Sequence, residues 1–202
     1  MIAVDGRETG LNIQDFENLE QILVKVMEDK QYEGRIVTDV LVNSEPFSEI
    51  YPHQAEDVEA SDIESVELIT VATTEMAVNI TRELYKVITL MDHGARRVAD
   101  LFRKADDGEA LEVYQDLMDV TRDFLGMVGV LRDEFSLKRS RQFNEAADDL
   151  SGLFSEMLEV IESEDWILLA DLLEYEFTPA VERWKKIVAQ LREDIKDVAR
   201  AA

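Results

Sequence analysis

The second two thirds of the chain follow a helical pattern. From Ala77 onward apolar residues recur every three or four positions, so that they share one face of a helix. Four such stretches follow one another, separated by an acidic turn near Asp107, a basic linker near Lys138 and a second acidic turn near Asp165. Short connections between long amphipathic helices favour antiparallel neighbours. The pattern therefore predicts an antiparallel four-helix bundle over residues 71–202.

The first third of the chain follows a different, mainly alternating pattern, which is typical of short β-strands. Apolar residues at helical spacing interrupt it once. Gly and Pro residues separate the segments. In chain order, the predicted segments are strands at Ile2–Val4 and Leu11–Ile13, a helix near Glu17–Lys30, a strand at Arg35–Val42, an irregular loop, and a strand at Val66–Thr70. The fold class predicted for the whole chain is therefore α+β, with a small module at residues 1–70.

This order of strand, strand, helix, strand, loop and strand resembles the ubiquitin-like β-grasp arrangement. A plain α/β cap is the alternative. Modifiers and sulfur carriers of the β-grasp fold act through an exposed C-terminal Gly-Gly, whereas here Ile69, Thr70 and Val71 run directly into a helix. The resemblance therefore implies a β-grasp-like module without conjugation chemistry.

Pro179 interrupts the pattern of the last helix. Proline lacks a backbone donor, and its ring clashes with the preceding turn. We expect it either to kink the helix or to restart it with Thr178 as the cap. The apolar phase continues across Pro179, which favours the kink.

The charge of the chain is strongly negative. It has 45 acidic and 21 basic residues, for a formal net charge of -24. Such a surface repels nucleic acid and anionic lipid, so neither is an expected partner. There is no cysteine, and the first residues lack the basic and apolar regions of a signal peptide. The expected location is the cytoplasm.

Reaction chemistry has no sequence signature in this chain. There is no phosphate-binding loop, nucleophile elbow or zinc-protease motif. Neither His53 nor His93 follows a glutamate by three residues, as di-iron bundles require. Asp106 to Glu109 lacks the spacing of a calcium loop. We therefore expect no catalytic residue, no metal and no cofactor.

Three candidate partner-binding residues lie in or beside the most distinctive segment. Residues Trp166 to Leu173 are apolar on nearly all faces apart from Asp171, and a helix of this kind is usually buried on several sides. Asp171 is predicted to be a satisfied core polar group, with a catalytic carboxylate as the alternative. Tyr175 follows between two glutamates. Trp166, together with Trp184 further along, is expected to anchor the packing.

Gly126 and Gly129 complete the set of candidate residues. Glycine inside a helix costs about 1 kcal/mol relative to alanine, so both positions need a compensating reason. Close approach of a neighbouring helix is the structural interpretation, and a groove for a partner helix is the functional one.

Basic residues are scarce and fall in two groups: Arg96 and Arg97 with Arg103 and Lys104, and Lys138 and Arg139 with Arg141. The first group lies toward a helix end, where positive charge complements the helix dipole. An anionic ligand site is the alternative interpretation of these clusters.

These patterns favour a non-enzymatic protein-interaction factor, such as an adaptor or an export-chaperone-like bundle, with a protein partner or a homodimer. The helix pattern is similar to that of flagellar secretion chaperones, and the two modules with the Trp166 segment resemble an uncharacterised bacterial family. Neither resemblance implies an activity. The alternative is an enzyme or a ligand sensor with a carboxylate-lined pocket between module and bundle, using Asp171 and Glu174.

Overall fold

A computed structural model describes residues 1–48, 54–137 and 141–201 of the chain. His53, Lys138 and Arg139 therefore lie outside the described residues. The chain divides into two compact units, Met1–Met76 and Ala77–Ala202. The first contains a five-stranded mixed sheet and the second consists of helices, which confirms the predicted α+β class.

The sheet of the first unit is mixed, with the strand order β2-β1-β5-β3-β4. Its central pair, β1 and β5, is parallel, and the other pairs are antiparallel. The predicted strand at Arg35–Val42 is confirmed. The strands are β1 (Ile2–Val4), β2 (Arg7–Glu8), β3 (Arg35–Val42), β4 (Glu45–Phe47) and β5 (Val66–Ala72).

The second strand was predicted at Leu11–Ile13, and this prediction is wrong. Asp5 and Gly6 both have positive φ, 48° and 75°, which is the geometry of a two-residue hairpin turn. Strand β2 therefore begins immediately after this turn and pairs antiparallel with β1, with Arg7 opposite Val4. Ile13 instead lies in a 3-10 turn, where its side chain is buried.

Helix α1 (Leu19–Met27) supplies the other half of the core of this unit. Asn18 caps it by accepting a hydrogen bond from the Gln21 amide at 3.1 Å. The buried residues Leu19, Ile22 and Val26 follow at helical spacing and join one apolar cluster with β1 and β5. Apolar residues of the strands and of α1 thus form a single small core.

A polar network joins three strands at one end of the sheet. Asp5 accepts hydrogen bonds from the Thr70 amide and the Thr70 hydroxyl, both at 2.8 Å. Arg35 donates to Asp5 at 2.9 Å and to the Thr70 hydroxyl at 2.7 Å. The hydrogen bonds from Thr70, with those from Arg35, hold the pKa of Asp5 below its ordinary value. The network fixes the β1–β2 turn against β3 and β5.

The helices of the second unit follow the four predicted stretches, although the last stretch has three parts. Helix α2 has 31 residues and is continuous through Gly94. The helices are α2 (Thr73–Arg103), α3 (Asp107–Glu134), α4 (Arg141–Glu162), α5 (Trp166–Asp171) and α6 (Thr178–Ala201), with a π-helical turn at Leu172–Phe177.

The π-helical turn shows how the last stretch accommodates Pro179. Thr178 has helical angles, φ -55° and ψ -50°, so it does not restart the helix as an extended cap. The wider turn ends at Phe177, two residues before the proline, whose ring would otherwise clash with a carbonyl of the preceding turn. The irregularity is therefore a change of helix type within a continuous helical path.

Trp184 lies at the centre of the helical core. It is 1% exposed. Its ring packs edge-on against Phe124 of α3 and Phe143 of α4, with centroids 5.6 and 5.5 Å away. One side chain of α6 thus connects three helices, as the sequence pattern predicts for a packing anchor.

We expect Trp184→Ala to lower the free energy of unfolding by about 3 to 5 kcal/mol, because it leaves a large cavity between three helices. Urea unfolding followed by circular dichroism measures this change. Tyr175→Ala is the matched control, since it removes an aromatic ring that is 64% exposed, and it should cost less than about 1 kcal/mol. Equal losses in the two variants would contradict the assignment of Trp184 to the core.

Asp5→Asn should destabilise the first unit near neutral pH. Asparagine tolerates the positive φ at this position but loses the charge that Thr70 and Arg35 stabilise. Because the folded pKa of Asp5 is lowered, its contribution is present above its unfolded pKa of about 4 and disappears as pH falls through the lower folded pKa.

The difference in melting temperature between wild type and Asp5→Asn should therefore be large at pH 7 and smaller at about pH 3. Asp15→Asn, which removes the same charge from an exposed turn, serves as the control. A difference for Asp5→Asn that does not change with pH would show that the charge of Asp5 plays no part.

Candidate functional site

Trp166, Asp171 and Tyr175 come together at the end of α2. Arg103 donates to Asp171 at 2.7 Å and also to Glu174, and its guanidinium lies 6.0 Å from the centre of the Tyr175 ring. The preceding residue, Phe102, stacks on Trp166 with centroids 5.2 Å apart. Two consecutive residues of α2 thus hold α5 and the π-helical turn in place.

Asp171 is satisfied but not buried, which corrects the prediction of a core polar group. Its side chain is 49% exposed, and Arg103 is its partner. The hydrogen bonds to Asp171 and Glu174 raise the pKa of Arg103 above its ordinary value. The sequence pattern did not reveal Arg103 as the partner of Asp171, because Arg103 lies 68 residues earlier in the chain. The carboxylates of Asp171 and Glu174 thus both bind the same side chain, that of Arg103.

The Trp166 segment was predicted to be buried on several sides, and it is buried on part of its surface. Leu169 and Ala170 are buried, whereas Ile167 is 56% and Leu168 is 42% exposed. Helix α5 has only six residues, and it packs by one side against α4. Its other side leaves two large apolar residues in solvent.

Trp184 is inaccessible to a partner. Its ring is enclosed by Phe124 and Phe143, so it supports the packing of the helices. Of the proposed partner-binding residues, it is therefore the one that the structure removes from the surface.

Gly126 and Gly129 do not lie at a close contact between helices, so that prediction is wrong. A Cβ atom built on either residue would meet no atom of the described chain within 4 Å. Gly126 is exposed, and the nearby apolar residues Met127 and Val130 are exposed as well. The close approach is found instead at Gly94, where a Cβ would lie 3.2 Å from Leu117 Cδ1.

An apolar groove lies between α2 and α3 at this close approach. Its volume is about 190 Å³. We call it the α2–α3 groove. Its lining residues are Leu90, Met91 and Gly94 from α2 and Val113, Asp116, Leu117 and Val120 from α3.

The apolar surface of the groove continues along α3. Val113, Val120 and Met127 are spaced by seven residues, or two helical turns, and therefore lie on one face. Val130 follows on the same side and is 61% exposed, and Leu90 across the groove is 58% exposed. We call these five residues the α2–α3 strip.

Sequence analysis missed the strip because it assigned one apolar face to each helix. The available signal was that α3 carries a second apolar series, Val113, Val120, Met127 and Val130, beside the core series that includes Leu117, Phe124 and Leu131. Val113 and Val120 pack partly against the core, and Met127 and Val130 extend this apolar surface into solvent.

Acidic residues border the strip. Asp116 lines the groove and has no ion-pair partner within residues 54–137 and 141–201. Asp119 and Asp123 share one cation, Arg122, at 3.0 and 3.5 Å. The apolar surface therefore lies in a negative electrostatic environment.

The alternative interpretation of Arg96, Arg97, Arg103 and Lys104, an anion site, finds no free cation among these four residues. These residues pair with Asp92, Glu109, Asp171 and Asp100 respectively, at 2.5 to 3.2 Å. Each positive charge there already has a carboxylate partner. The structure thus favours helix stabilisation over anion binding at this helix end.

His93 is exposed, as expected for a surface histidine. Where the structure describes the chain, no three histidine, aspartate or glutamate side chains come together as metal ligands could. None of the described helices combines the length and the apolar character needed to cross a membrane.

Gly126→Ala should raise the free energy of unfolding by about 0.5 to 1 kcal/mol, because alanine favours the helix and its methyl group meets no neighbour. Gly94→Ala is the matched control: the same gain is offset because Leu117 must move. Chemical denaturation measures both. A loss of stability in Gly126→Ala would show that the α3 face is packed against another element.

Two family models match the chain. The first model, described as "Domain of unknown function (DUF8043)", matches residues 1–71. The second, described as "Domain of unknown function (DUF8042)", matches residues 79–187. No curated protein and no solved structure was found to match. The predicted resemblance to an uncharacterised family is confirmed. Because the second model covers more than half of the 202 residues, the chain belongs to the family of the domain of unknown function DUF8042.

Proposed function

We propose that this protein is a non-enzymatic protein-interaction factor that holds an amphipathic helix of a partner protein against the α2–α3 strip. The observation that carries the proposal is the apolar groove between two neighbouring helices together with the exposed residues beside it. Leu90 and Val130 are each more than half exposed, whereas Val113 and Val120 are partly buried. Contiguous exposed apolar surface commonly marks an interaction site. A groove between two helices accepts a third helix through apolar residues spaced by three, four and seven positions.

The charge around the strip defines the chemistry of the partner. Asp116, Asp119 and Asp123 border it, with Arg122 as their one neighbouring cation in the described ion pairs. A helix with lysine or arginine beside its apolar residues would complement this border. An acidic helix would be repelled.

Gly126 supports the same assignment. Because it has no side chain and faces open space, a partner backbone could approach α3 closely beside Val130. This geometry gives the helix-weakening glycine a function that the packing of the chain itself does not supply.

A homodimer through this surface is disfavoured by the same charges. Two copies would bring Asp116, Asp119 and Asp123 of one chain toward those of the other, and like charges across an interface oppose association. A homodimer through another surface stays a prediction.

We also propose a β-grasp-like arrangement for the first unit and an antiparallel four-helix bundle for the second. The parallel β1–β5 pair at the centre of the sheet supports a β-grasp-like module. Contacts of Arg97 with Glu109 and of Gly94 with Leu117 support antiparallel packing of α2 and α3 within a four-helix bundle. The acidic surface supports a cytoplasmic location without nucleic acid or membrane partners.

The alternative function, an enzyme or a ligand sensor that uses Asp171 and Glu174, has less support. Arg103 binds both carboxylates, so they already act as structural partners. Neither has a histidine or a third carboxylate beside it in the described chain.

We expect the protein to bind a labelled amphipathic peptide with leucine on one face and lysine on the other, and to bind poorly a matched peptide with glutamate in place of lysine. Fluorescence anisotropy measures both affinities. The double variant Leu90→Ser, Val130→Ser should weaken binding about tenfold or more, because two apolar contacts are lost.

Leu158→Ser is the control variant, since Leu158 is equally exposed but lies on α4. It should bind as wild type does. Asp116→Asn should weaken binding and reduce its dependence on salt. Equal binding of both peptides, or equal losses in the control and the double variant, would contradict the proposal.

The native partner is then identified by comparison. A protein captured by wild type and Leu158→Ser, but not by the double variant, should contain a helix of this basic and apolar type. Pull-down with mass spectrometry provides the measurement.

A further inference from the structure

Two arginines of the helical unit, like Lys186, form no ion pair in the part of the chain that the structure describes. In this acidic chain, cations commonly face a carboxylate, as Arg97 faces Glu109 and Arg183 faces Asp149, each at 2.6 Å. Arg82 and Arg192 have no such partner among residues 54–137 and 141–201. Arg82 donates to the neutral side chain of Asn79 at 3.3 Å.

Both arginines line the same groove, although they lie 110 residues apart in sequence. The groove lies between α2 and α6 and has a volume of about 530 Å³. This volume is within the range of small-molecule sites, roughly 300 to 1,000 Å³. Tyr85, Val188 and Ala189 form part of its wall. We call it the α2–α6 groove.

The other charged residues of the groove already have partners. Glu193 pairs with Lys196 at 2.7 Å, and this hydrogen bond holds the pKa of Glu193 below its ordinary value. Lys86 pairs with Glu83 at 2.8 Å. Glu193 also interacts electrostatically with Arg192, but no carboxylate in the described part of the groove forms an ion pair or a hydrogen bond with Arg82 or Arg192.

Arg192 is the more constrained of the two. Its Nε atom is buried, and in the described chain no atom accepts a hydrogen bond from it. A buried donor is normally satisfied by protein or by a bound molecule. The guanidinium is also always charged and presents its donors in a planar fork, which matches the oxygens of a carboxylate or a phosphate.

We propose that the α2–α6 groove binds a small organic anion, with its carboxylate or phosphate against Arg82 and Arg192 and its apolar body against Tyr85 and Val188. The net charge of -24 repels anions in general, so recognition depends on these two local cations. The residues of the α2–α3 strip do not line this groove. The two proposals can therefore fail separately.

The test uses the full chain and a set of probes with the same apolar body. Octanoate and octyl phosphate should bind, whereas octanol and octylammonium should not, in isothermal titration calorimetry. Inorganic phosphate should bind more weakly than octyl phosphate, because it lacks the apolar body.

Arg192→Gln should weaken octanoate binding about tenfold or more, since charge-assisted paired hydrogen bonds are lost. Arg82→Gln should weaken it in the same direction. Arg192→Lys, which keeps the charge but loses the planar fork, should give an intermediate affinity.

Lys186→Gln is the matched control. It removes one positive charge from the same helix, at a residue that lines a different pocket, and should change the affinity less than about twofold, as expected for a distant, screened charge. Circular dichroism melts establish that each variant is folded.

Three results would overturn the proposal: no octanoate binding by wild type at millimolar concentration, equal binding of octylammonium, or equal losses in Lys186→Gln and Arg192→Gln. Tighter binding of an oligoglutamate peptide than of octanoate would instead show that the groove receives an acidic protein segment, and would overturn the assignment of a small ligand.

Discussion

The helical unit depends on the contact that Trp184 makes with Phe124 and Phe143. These rings come from α6, α3 and α4, and they meet edge-on at the centre of one apolar cluster. Aromatic pairs in this geometry contribute packing and electrostatic attraction together. Because this contact fixes the inward faces of α3 and α6, it also determines which of their other residues remain outside. The α2–α3 strip and the α2–α6 groove both lie on surfaces that this packing leaves outside the core.

The shortage of positive charge is the second constraint on the molecule. The chain has 21 basic residues for 45 acidic ones. Some of these cations join distant parts of the chain, as Arg103 joins α2 to Asp171 and Glu174 and Arg35 joins β3 to Asp5, whereas others pair with a carboxylate three or four residues away. Arg82 and Arg192 are informative because both lack an ion-pair partner and both line one groove. This is why Arg82 and Arg192 indicate a ligand, although neither belongs to a basic run in the sequence.

Apolar residues left outside the core carry the other functional argument. On α3, Val113 and Val120 lie at the edge of the core face and are partly buried, whereas Met127 and Val130 are exposed, with the exposed Gly126 beside them. A single exposed leucine is ordinary in a soluble protein. A series at seven-residue spacing beside a groove is not, and with its acidic border it specifies a basic amphipathic helix.

The sequence by itself determined the α+β class, the strand Arg35–Val42, the extent of the long helices and the core position of Trp184, because these follow from local periodicity. It did not determine β2, where the positive φ of Asp5 and Gly6 turned the chain earlier than the apolar pattern indicates. It could not place Arg103 beside Asp171, or Arg82 with Arg192 in one groove. Those pairs join residues far apart in the chain, and only the packing of the helices brings them together.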